Sequence, residues 1–226
     1  MPKLLCAAEP PAGATLSLHV FDDQFLVQYR GEHGALITKF VSPESVRQAV
    51  LDENVDSGYL PYGVVRWGCG VEGAWAVRYE PPARRRIYLD VPGAASEPLV
   101  VPLPALVFTG RGNQYFVFAV AGSHFSPRST LYRAPLPNVA DTGEICFGKN
   151  NVAAVAEGGM ERAFDLFFAA PFNDHHADGR SQQYAADVRL QLRALAERRA
   201  AKYPMRDLIK LNRTVDEMVN RLALGR

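Results

Sequence analysis

The chain has 226 residues, 48% of them hydrophobic, and a formal net charge of +1. It is long enough to bury a substantial core in one large or two small domains, and its near-zero charge gives no general electrostatic case for binding nucleic acid or an anionic membrane. Its 3 cysteines lack CxxC spacing, which argues against a disulfide framework and a structural zinc site. Because the sequence has neither an apolar run long enough to span a membrane nor a signal-peptide pattern, we expect a cytoplasmic protein.

The first part of the chain is rich in short segments of alternating apolar residues, the pattern of β-strands. Six such segments are predicted: residues 15–21, 24–30, 35–41, 63–67, 74–79 and 85–90. After the third segment, Ser42 and Pro43 have the pattern of a helix start, which predicts a helix to about Leu51. Cys69, between two glycines, is expected to be a hairpin-turn residue rather than a reactive thiol.

The segment Pro92–Pro98, rich in proline, glycine and small residues, is the best linker candidate. It predicts a mainly β N-terminal region over residues 1–95 and a second domain over residues 96–226. Three strands are predicted at the start of that domain: Leu99–Thr109, Gln114–Ala121 and Ser129–Ala134. We expect them to form one antiparallel sheet, because short turns join them.

Three helices are predicted towards the C-terminus. Aromatic and small apolar residues recur at helical spacing within residues 159–169, so this helix should pack on the sheet. A second helix is predicted from Ser181, and a third from Met205 to Leu224 after the break at Pro204. The apolar stripe of the third is expected in the core, with a partner helix as the alternative. Five basic residues are expected to form a solvated face, with phosphate contact as the alternative: Arg189, Arg193, Arg198, Arg199 and Lys202.

Residues suited to chemistry concentrate before Gly148. Cys146 follows a polar turn and lies between two apolar residues, and Asn138 precedes it by eight positions. A thiolate nucleophile and an amide donor for a developing oxyanion suit acyl transfer at a thioester. The alternative is a small buried cysteine in a β-turn, which is the commoner situation.

This stretch resembles the active-site segment of ubiquitin-conjugating (E2-type) enzymes, which read His-Pro-Asn, a short loop, and Gly-x-Ile-Cys. Pro137 and Asn138 match the Pro-Asn pair, and Gly143, Ile145 and Cys146 match Gly-x-Ile-Cys. The spacing between asparagine and cysteine is also that of E2-type enzymes.

A plain departure is Leu136, which occupies the histidine position of the E2 pattern and puts the loop geometry in question more than the nucleophile. The resemblance covers about residues 99–175. Among bacterial proteins, the stretch is similar to the E2-like component of the PRTRC plasmid cassette, the PRTRC system protein B family, or prokaryotic E2 family D. That cassette resembles a minimal ubiquitin-like pathway, with a ThiF-like activating enzyme and a small β-grasp protein.

The resemblance implies an α+β fold: an E2-like (UBC-like) domain with an antiparallel β-meander and flanking helices, preceded by the mainly β region. It implies that Cys146 carries a ubiquitin-like modifier as a thioester and passes it to an amine, with Asn138 stabilising the oxyanion or holding the loop. Asp174 lies near the position of an acidic residue that orients the incoming lysine in E2-type enzymes. ThiF-like (E1-like) and β-grasp ubiquitin-like partners are implied, and no metal or organic cofactor is needed.

Two other functions stay open. One is a catalytically silent E2-like scaffold that binds ThiF-like or ubiquitin-like partners. The other is a plasmid-maintenance accessory that contacts nucleic acid, against which the low net charge weighs. The loop around His175 and His176 also contains groups that could bind a metal, although a solvated loop is the expected state because adjacent histidines rarely reach one ion together.

Overall fold

The computed structural model describes residues 16–21, 24–31, 33–46, 59–70 and 73–224. The chain divides into two compact units, Met1–Tyr59 and Leu60–Arg226.

The smaller unit contains an antiparallel meander of three strands, β1 (Leu16–Val20), β2 (Phe25–Arg30) and β3 (Leu36–Val41), as predicted. A helical turn follows β3, and the Ser42 hydroxyl accepts a hydrogen bond from the Ser45 N–H at 3.1 Å, which satisfies one of the free donors of a helix start. The continuation of this predicted helix to Leu51 lies outside the described residues.

The larger unit is built on a six-stranded antiparallel sheet in the order β11-β10-β9-β8-β5-β4. Its strands are β4 (Val64–Gly70), β5 (Gly73–Glu80), β8 (Ala105–Arg111), β9 (Gln114–Val120), β10 (Thr130–Arg133) and β11 (Lys210–Thr214). Two more strands, β6 (Ala83–Leu89) and β7 (Glu97–Leu103), form a separate two-stranded sheet. The helices are α1 (Gly159–Ala169), α2 (Val188–Glu197) and α3 (Val215–Leu224), and 3₁₀ turns occupy Val155–Glu157 and Met205–Asp207. The α+β class is therefore confirmed, and among the described residues no helix has both the length and the apolar character needed to cross a membrane.

The domain boundary predicted at Pro92–Pro98 does not coincide with the division in the structure, which falls after Tyr59. The segment is instead the turn of the β6–β7 hairpin, in which Leu89 pairs with Glu97. Proline and glycine are as typical of turns as of linkers, and only the pairing of the flanking strands distinguishes the two.

The predicted strand Leu99–Thr109 is also wrong as a single element. Pro104 separates β7, which pairs with β6, from β8, which pairs with β5 and β9, so the region 99–134 is divided between two sheets. Proline has no N–H for a strand ladder, and here it marks the point at which the chain changes sheets. The strands β8, β9 and β10 do form consecutive antiparallel neighbours, as predicted.

Both faces of the large sheet are covered. On one face, the buried aromatic residues of α1 pack on β8, with the Phe164 and Phe108 rings 5.3 Å apart, and this core also contains α2 residues and the β6–β7 hairpin. On the other face, Val215, Met218 and Leu222 of α3 pack against side chains of the central strands. Sheet residues alternate between the two cores, as period-2 side-chain direction requires.

The C-terminal helices are shorter than predicted. Residues 210–214 form the edge strand β11 on β10, where a helix was expected. The reason lies at Thr214: its N–H donates to the Glu217 carboxylate at 2.7 Å, and its hydroxyl accepts from the Glu217 N–H at 3.3 Å. This capping box starts α3 at Val215 and separates it from the chain before it. The apolar stripe predicted for this region consists of Leu208, Leu211, Val215, Met218 and Leu222. All of them are buried as expected except Leu211, which is partly buried.

The α1 packing leads to a stability prediction. Phe164→Ala should lower the free energy of unfolding of the larger unit by about 3–5 kcal/mol, because it leaves a cavity between α1 and the sheet. Both tryptophans, Trp67 and Trp75, lie in that unit, so denaturant unfolding followed by tryptophan fluorescence measures it selectively.

The matched control is Asp165→Ala, one residue along on the exposed face of α1, which should change this free energy by less than about 0.5 kcal/mol. Equal losses in the two variants would mean that the aromatic face of α1 is not a core contact.

Candidate active site

The chain between Asn138 and Cys146 folds into a tight hairpin. The Cys146 N–H donates to the Asn138 carbonyl at 2.8 Å, Val139 and Ile145 form an antiparallel bridge, and the Ala140 N–H donates to the Glu144 carbonyl at 2.7 Å. The polar turn thus brings the two residues side by side although eight positions separate them in the sequence. This fold-back is what a side-chain donor at residue 138 requires if it is to serve chemistry at residue 146.

The returning limb of this hairpin is attached to the large sheet. The Ile145 N–H donates to the Tyr115 carbonyl at 2.8 Å, and the Val117 N–H donates to the Gly143 carbonyl at 2.9 Å. Ile145 is buried beside β9, whereas Cys146, the next residue, is exposed. An accessible thiol therefore lies on a segment that is fixed by backbone hydrogen bonds to a central strand.

Gly143 allows this close attachment. Its φ is 91°, in the region that favours glycine, and a Cβ built there would overlap the buried ring of Phe118. Gly148 also has positive φ, 60°, but a Cβ at that position meets only open space.

Asn138 adopts the left-handed conformation, with φ of 59°, which asparagine tolerates better than most residues. Its Nδ2 donates to the Pro171 carbonyl at 3.3 Å, and its N–H donates to the His175 carbonyl at 2.7 Å. The side-chain Oδ1 is buried without a hydrogen-bond partner. Because an amide NH₂ group has two donors, one N–H is left that could serve an oxyanion.

The acceptor of that bond is itself held firmly. Phe172, next to Pro171, exchanges backbone hydrogen bonds with the end of β6: its N–H donates to Tyr88 at 2.7 Å, and its carbonyl accepts from Asp90 at 2.8 Å. The amide of Asn138 is therefore oriented by a fixed carbonyl.

Cys146 lies at a cleft of about 500 Å³. The three residues predicted as catalytic, Cys146, Asn138 and Asp174, all line it, so the structure brings them together. Lys149 and His175 line the same cleft. Polar groups line one part of the cleft, and Phe147, Phe167 and Pro171 contribute an apolar part.

The model of prokaryotic E2 family D matches residues 39–211. The chain belongs to this family. The matched region begins in β3 of the smaller unit and ends in β11 of the larger, so family D extends well beyond the region 99–175 in which the resemblance was expected. Comparisons with curated proteins and with solved structures gave no significant match.

In this family D chain, Leu136 is fully buried in the first core, between the buried prolines 135 and 137. An apolar side chain at this position makes no hydrogen bond, yet the hairpin forms. The guanidinium of Arg180, also fully buried, donates a hydrogen bond to the Val139 carbonyl. The hairpin thus forms with an apolar residue at position 136 and receives a side-chain hydrogen bond from a distant part of the chain.

The sequence does not single out Lys149 and His175 as residues that line the cleft with Cys146, or Arg180 as a residue that contacts the hairpin. Lys149 is only three positions from Cys146, and this spacing could have indicated it. The sequence indicates His175 only as a possible metal ligand, and it does not indicate the burial of Arg180, since burial of an arginine depends on tertiary contacts.

Within the described residues, the structure places no further metal-binding side chains beside the two adjacent histidines. The rings of His175 and His176 lie 4.0 Å apart, and within the described part of the chain no group of three or more His, Cys, Asp or Glu residues is arranged to hold a metal ion. Cys69 is exposed, on the β4–β5 hairpin. The first cysteine of the chain lies outside the described residues.

Two glycine substitutions test the hairpin of this family D protein. Gly143→Ala and Gly148→Ala should each cost about 1–2 kcal/mol of backbone strain, and Gly143→Ala should cost about 1–3 kcal/mol more because Phe118 must move. The measurements are the unfolding free energy and the rate at which Cys146 reacts with iodoacetamide relative to Cys69, followed by peptide mass spectrometry.

The relative reactivity of Cys146 should change in Gly143→Ala and stay within about twofold of the parent chain in Gly148→Ala. The reason is that the added methyl group meets the sheet at residue 143 and open space at residue 148. Equal unfolding free energies for the two variants would contradict the packing of Gly143 against Phe118.

Proposed function

We propose that this protein is an E2-like carrier: Cys146 accepts the C-terminal acyl group of a ubiquitin-like protein as a thioester and passes it to an amine. The observation that carries this proposal is the hairpin that places an exposed cysteine thiol beside Asn138 at the mouth of a cleft. Membership of prokaryotic E2 family D supports it.

The chemistry consists of two acyl transfers. In the first, the Cys146 thiolate attacks the thioester carbonyl of the charged activating protein, a new C–S bond forms, and the cysteine of the activating protein leaves as a thiolate. In the second, an amine attacks the Cys146 thioester, a C–N bond forms, and Cys146 leaves as a thiolate. The carbonyl oxygen carries negative charge in each tetrahedral intermediate, and the second N–H of Asn138 is the side-chain donor that can stabilise it.

The amine must lose a proton during the second transfer, and the departing Cys146 thiolate or solvent takes it up. Asp174 and His175 line the cleft with Cys146, and both are exposed, so an incoming amine can reach them. The carboxylate of Asp174 also attracts a cationic lysine before it reacts. Asp174 is therefore proposed to orient the amine.

The proposed partners are a ThiF-like activating protein and a small β-grasp protein whose C-terminal tail enters the cleft. This proposal rests on the resemblance of the Cys146 stretch to the E2-like component of the PRTRC plasmid cassette, since that cassette also contains a ThiF-like and a β-grasp protein. The cleft has an apolar part beside the thiol, which suits the aliphatic and backbone surface of an extended tail.

A catalytically silent scaffold is the second candidate function. It is favoured by the hydrogen bond from Asn138 Nδ2 to Pro171, which occupies part of the amide, and by the apolar residue at position 136. The nucleic-acid alternative loses support, because two of the five cations considered for phosphate contact are paired with carboxylates: Arg189 with Asp187 at 2.8 Å and Arg193 with Glu97 at 3.0 Å.

The nucleophile is tested by loading. With ATP, the activating protein and the β-grasp protein, the parent chain should form a thiol-sensitive adduct, Cys146→Ser a thiol-resistant ester or none, and Cys69→Ser the parent adduct. The measurement is gel electrophoresis with and without reductant. Unchanged loading of Cys146→Ser, or binding of partners without any adduct on the parent chain, would leave the scaffold as the function.

Two variants of Asn138 separate its side-chain and backbone roles. Asn138→Gly keeps the positive φ and removes the amide, whereas Asn138→Ala removes the amide and strains the backbone. If the amide is an oxyanion donor, both variants should load almost normally and discharge to lysine on the order of a hundredfold more slowly in single-turnover assays. A slow Asn138→Ala beside a normal Asn138→Gly would instead limit Asn138 to shaping the loop.

Asp174 is tested by the discharge step alone. Asp174→Asn should leave loading unchanged and slow the transfer to free lysine by about tenfold or more, since only this step uses an amine. The control is Asp165→Asn, an exposed carboxylate on α1 that does not line the cleft. Equal discharge by both variants would remove Asp174 from the mechanism.

A further inference from the structure

Arg180 is the largest of the fully buried side chains among the described residues, with 1% of its surface exposed. A buried charge costs free energy unless hydrogen bonds and opposite charges satisfy it. Burial and, after it, the like charge of Arg133 lower the pKa of Arg180, while Asp141 and Asp178 act in the opposite direction. Because the ordinary pKa of arginine is so high, the side chain stays charged at neutral pH and its contacts must offset the cost of burial.

The contacts of Arg180 join the two chain segments that line the cleft. Its Nη2 donates to the Val139 carbonyl and lies 3.3 Å from the Asp141 carboxylate, both within the Cys146 hairpin. Its Nε donates to the His176 carbonyl at 3.2 Å, in the segment that contains Asp174 and His175. One guanidinium thus connects the nucleophile's hairpin with the segment on the other side of the cleft.

Of these contacts, the hydrogen bond to the Val139 carbonyl acts most directly on the backbone next to Cys146. Val139 pairs with Ile145 in the hairpin, and its neighbour Asn138 accepts the Cys146 N–H. The pair with Asp141 contributes less, because 72% of the Asp141 side chain is exposed and solvent screens the interaction. Arg133 reinforces the same turn: it pairs with Asp141 at 2.8 Å and donates to the Gly179 carbonyl at 3.2 Å.

Arg180 is itself attached to a fixed frame. The buried Asp207 accepts hydrogen bonds from the Ser181 hydroxyl at 2.8 Å, the Gln183 N–H at 2.8 Å and the Tyr203 hydroxyl at 2.5 Å. The residue directly after Arg180 is therefore anchored to the 3₁₀ turn before β11. Arg180 can hold the hairpin only if its own segment is more rigid than the hairpin, and the hydrogen bonds to Asp207 provide that rigidity.

We propose that Arg180 is a positioning residue for Cys146: its guanidinium holds the 138–146 hairpin against the 173–178 segment and so fixes the geometry of the nucleophile. Arg180 does not line the cleft and acts through Val139 and His176. Several donors in one rigid plane are needed to reach two carbonyls in different directions, and lysine lacks that arrangement. The effect on thioester chemistry depends on the carrier function proposed above, whereas the effect on the hairpin does not.

Amide hydrogen exchange on the full chain tests the proposal without any partner. The reporters are the Ala140 and Cys146 N–H groups, which make the hairpin's own hydrogen bonds, and the reference is the set of β8–β9 ladder amides. In Arg180→Met, the hairpin amides should exchange about tenfold or more faster than in the parent chain, with the β8–β9 amides unchanged. In Arg180→Lys, which keeps the charge and loses the planar fork, the acceleration should be smaller, about threefold.

The matched control is Arg193→Met, which removes a half-exposed arginine paired with Glu97 and should leave the hairpin amides unchanged. If Arg180→Met fails to fold, Arg180→Lys decides the question. Hairpin amides that exchange at the parent rate in a folded Arg180 variant, or acceleration shared equally by the β8–β9 amides, would overturn the proposal.

A kinetic measurement adds the functional consequence. Where the parent chain discharges its thioester, Arg180→Lys should lower the single-turnover discharge rate by about tenfold at saturating lysine while leaving the KM for lysine near its parent value. This is the pattern expected when the Cys146 thioester is misplaced but the attacking amine still binds. If the parent chain never loads while the exchange result holds, the carrier function fails and the structural role of Arg180 stands. Loading with parent-like discharge in Arg180→Lys would overturn the positioning role instead.

Discussion

The site depends on which segments form hydrogen bonds with the backbone N–H and C=O groups along one edge of β9. One edge of β9 pairs along its length with β8, but the other edge is shared. Its C-terminal part pairs with β10, and its N-terminal part exchanges backbone hydrogen bonds with the hairpin that ends at Cys146. Buried backbone groups must find partners, and here β10 is too short to supply all of them. The hairpin is therefore part of the sheet's hydrogen bonding, and Cys146 occupies the first position after that pairing ends.

This arrangement explains how an exposed thiol can be held precisely enough for chemistry. Loops are usually mobile because few buried contacts restrain them, but this one has sheet-like bonds on one side and a buried guanidinium on the other. Each neutral backbone bond contributes only about 0.5–1.5 kcal/mol, so several are needed to keep a short hairpin in one conformation. The arginine adds a charge-assisted bond in a region where water does not compete, which strengthens it relative to a surface contact.

The sequence was informative wherever the signal was local. The aromatic spacing of α1 and the Asn138–Cys146 pair were visible because periodicity and turn residues act over short distances. The capping box at Thr214 was equally local, and reading its Thr-x-x-Glu pattern would have separated α3 from the chain before it. Pro104 likewise marked the division of a predicted strand. The role of the 92–98 segment could not be recognised in this way, because a turn and a linker share a composition and differ only in what their flanks pair with.

The contacts of Arg180 could not be predicted from the sequence for a different reason. Its partners in the hairpin lie about 40 positions earlier in the chain, and a lone arginine in a polar segment has no pattern that predicts burial. The family comparison establishes what kind of fold to expect, and it does not indicate which side chain supports the active hairpin in this chain. The buried apolar Leu136 offers the hairpin no side-chain hydrogen bond, whereas Arg180 donates one to the Val139 carbonyl.

The choice between a carrier and a silent scaffold therefore depends on whether the second N–H of the Asn138 side-chain amide is available to donate. It does not depend on the identity of residue 136. One N–H of the Asn138 amide donates to the Pro171 carbonyl, which orients the group, and among the described residues the NH₂ makes no second hydrogen bond, so one donor stays available. A scaffold would need neither an exposed cysteine at the end of a fixed hairpin nor an oriented donor beside it. A carrier needs both, and it needs them held before the substrate arrives, because preorganised donors stabilise a developing charge without reorganising during the reaction. These requirements are the reason for which we propose acyl transfer rather than binding alone.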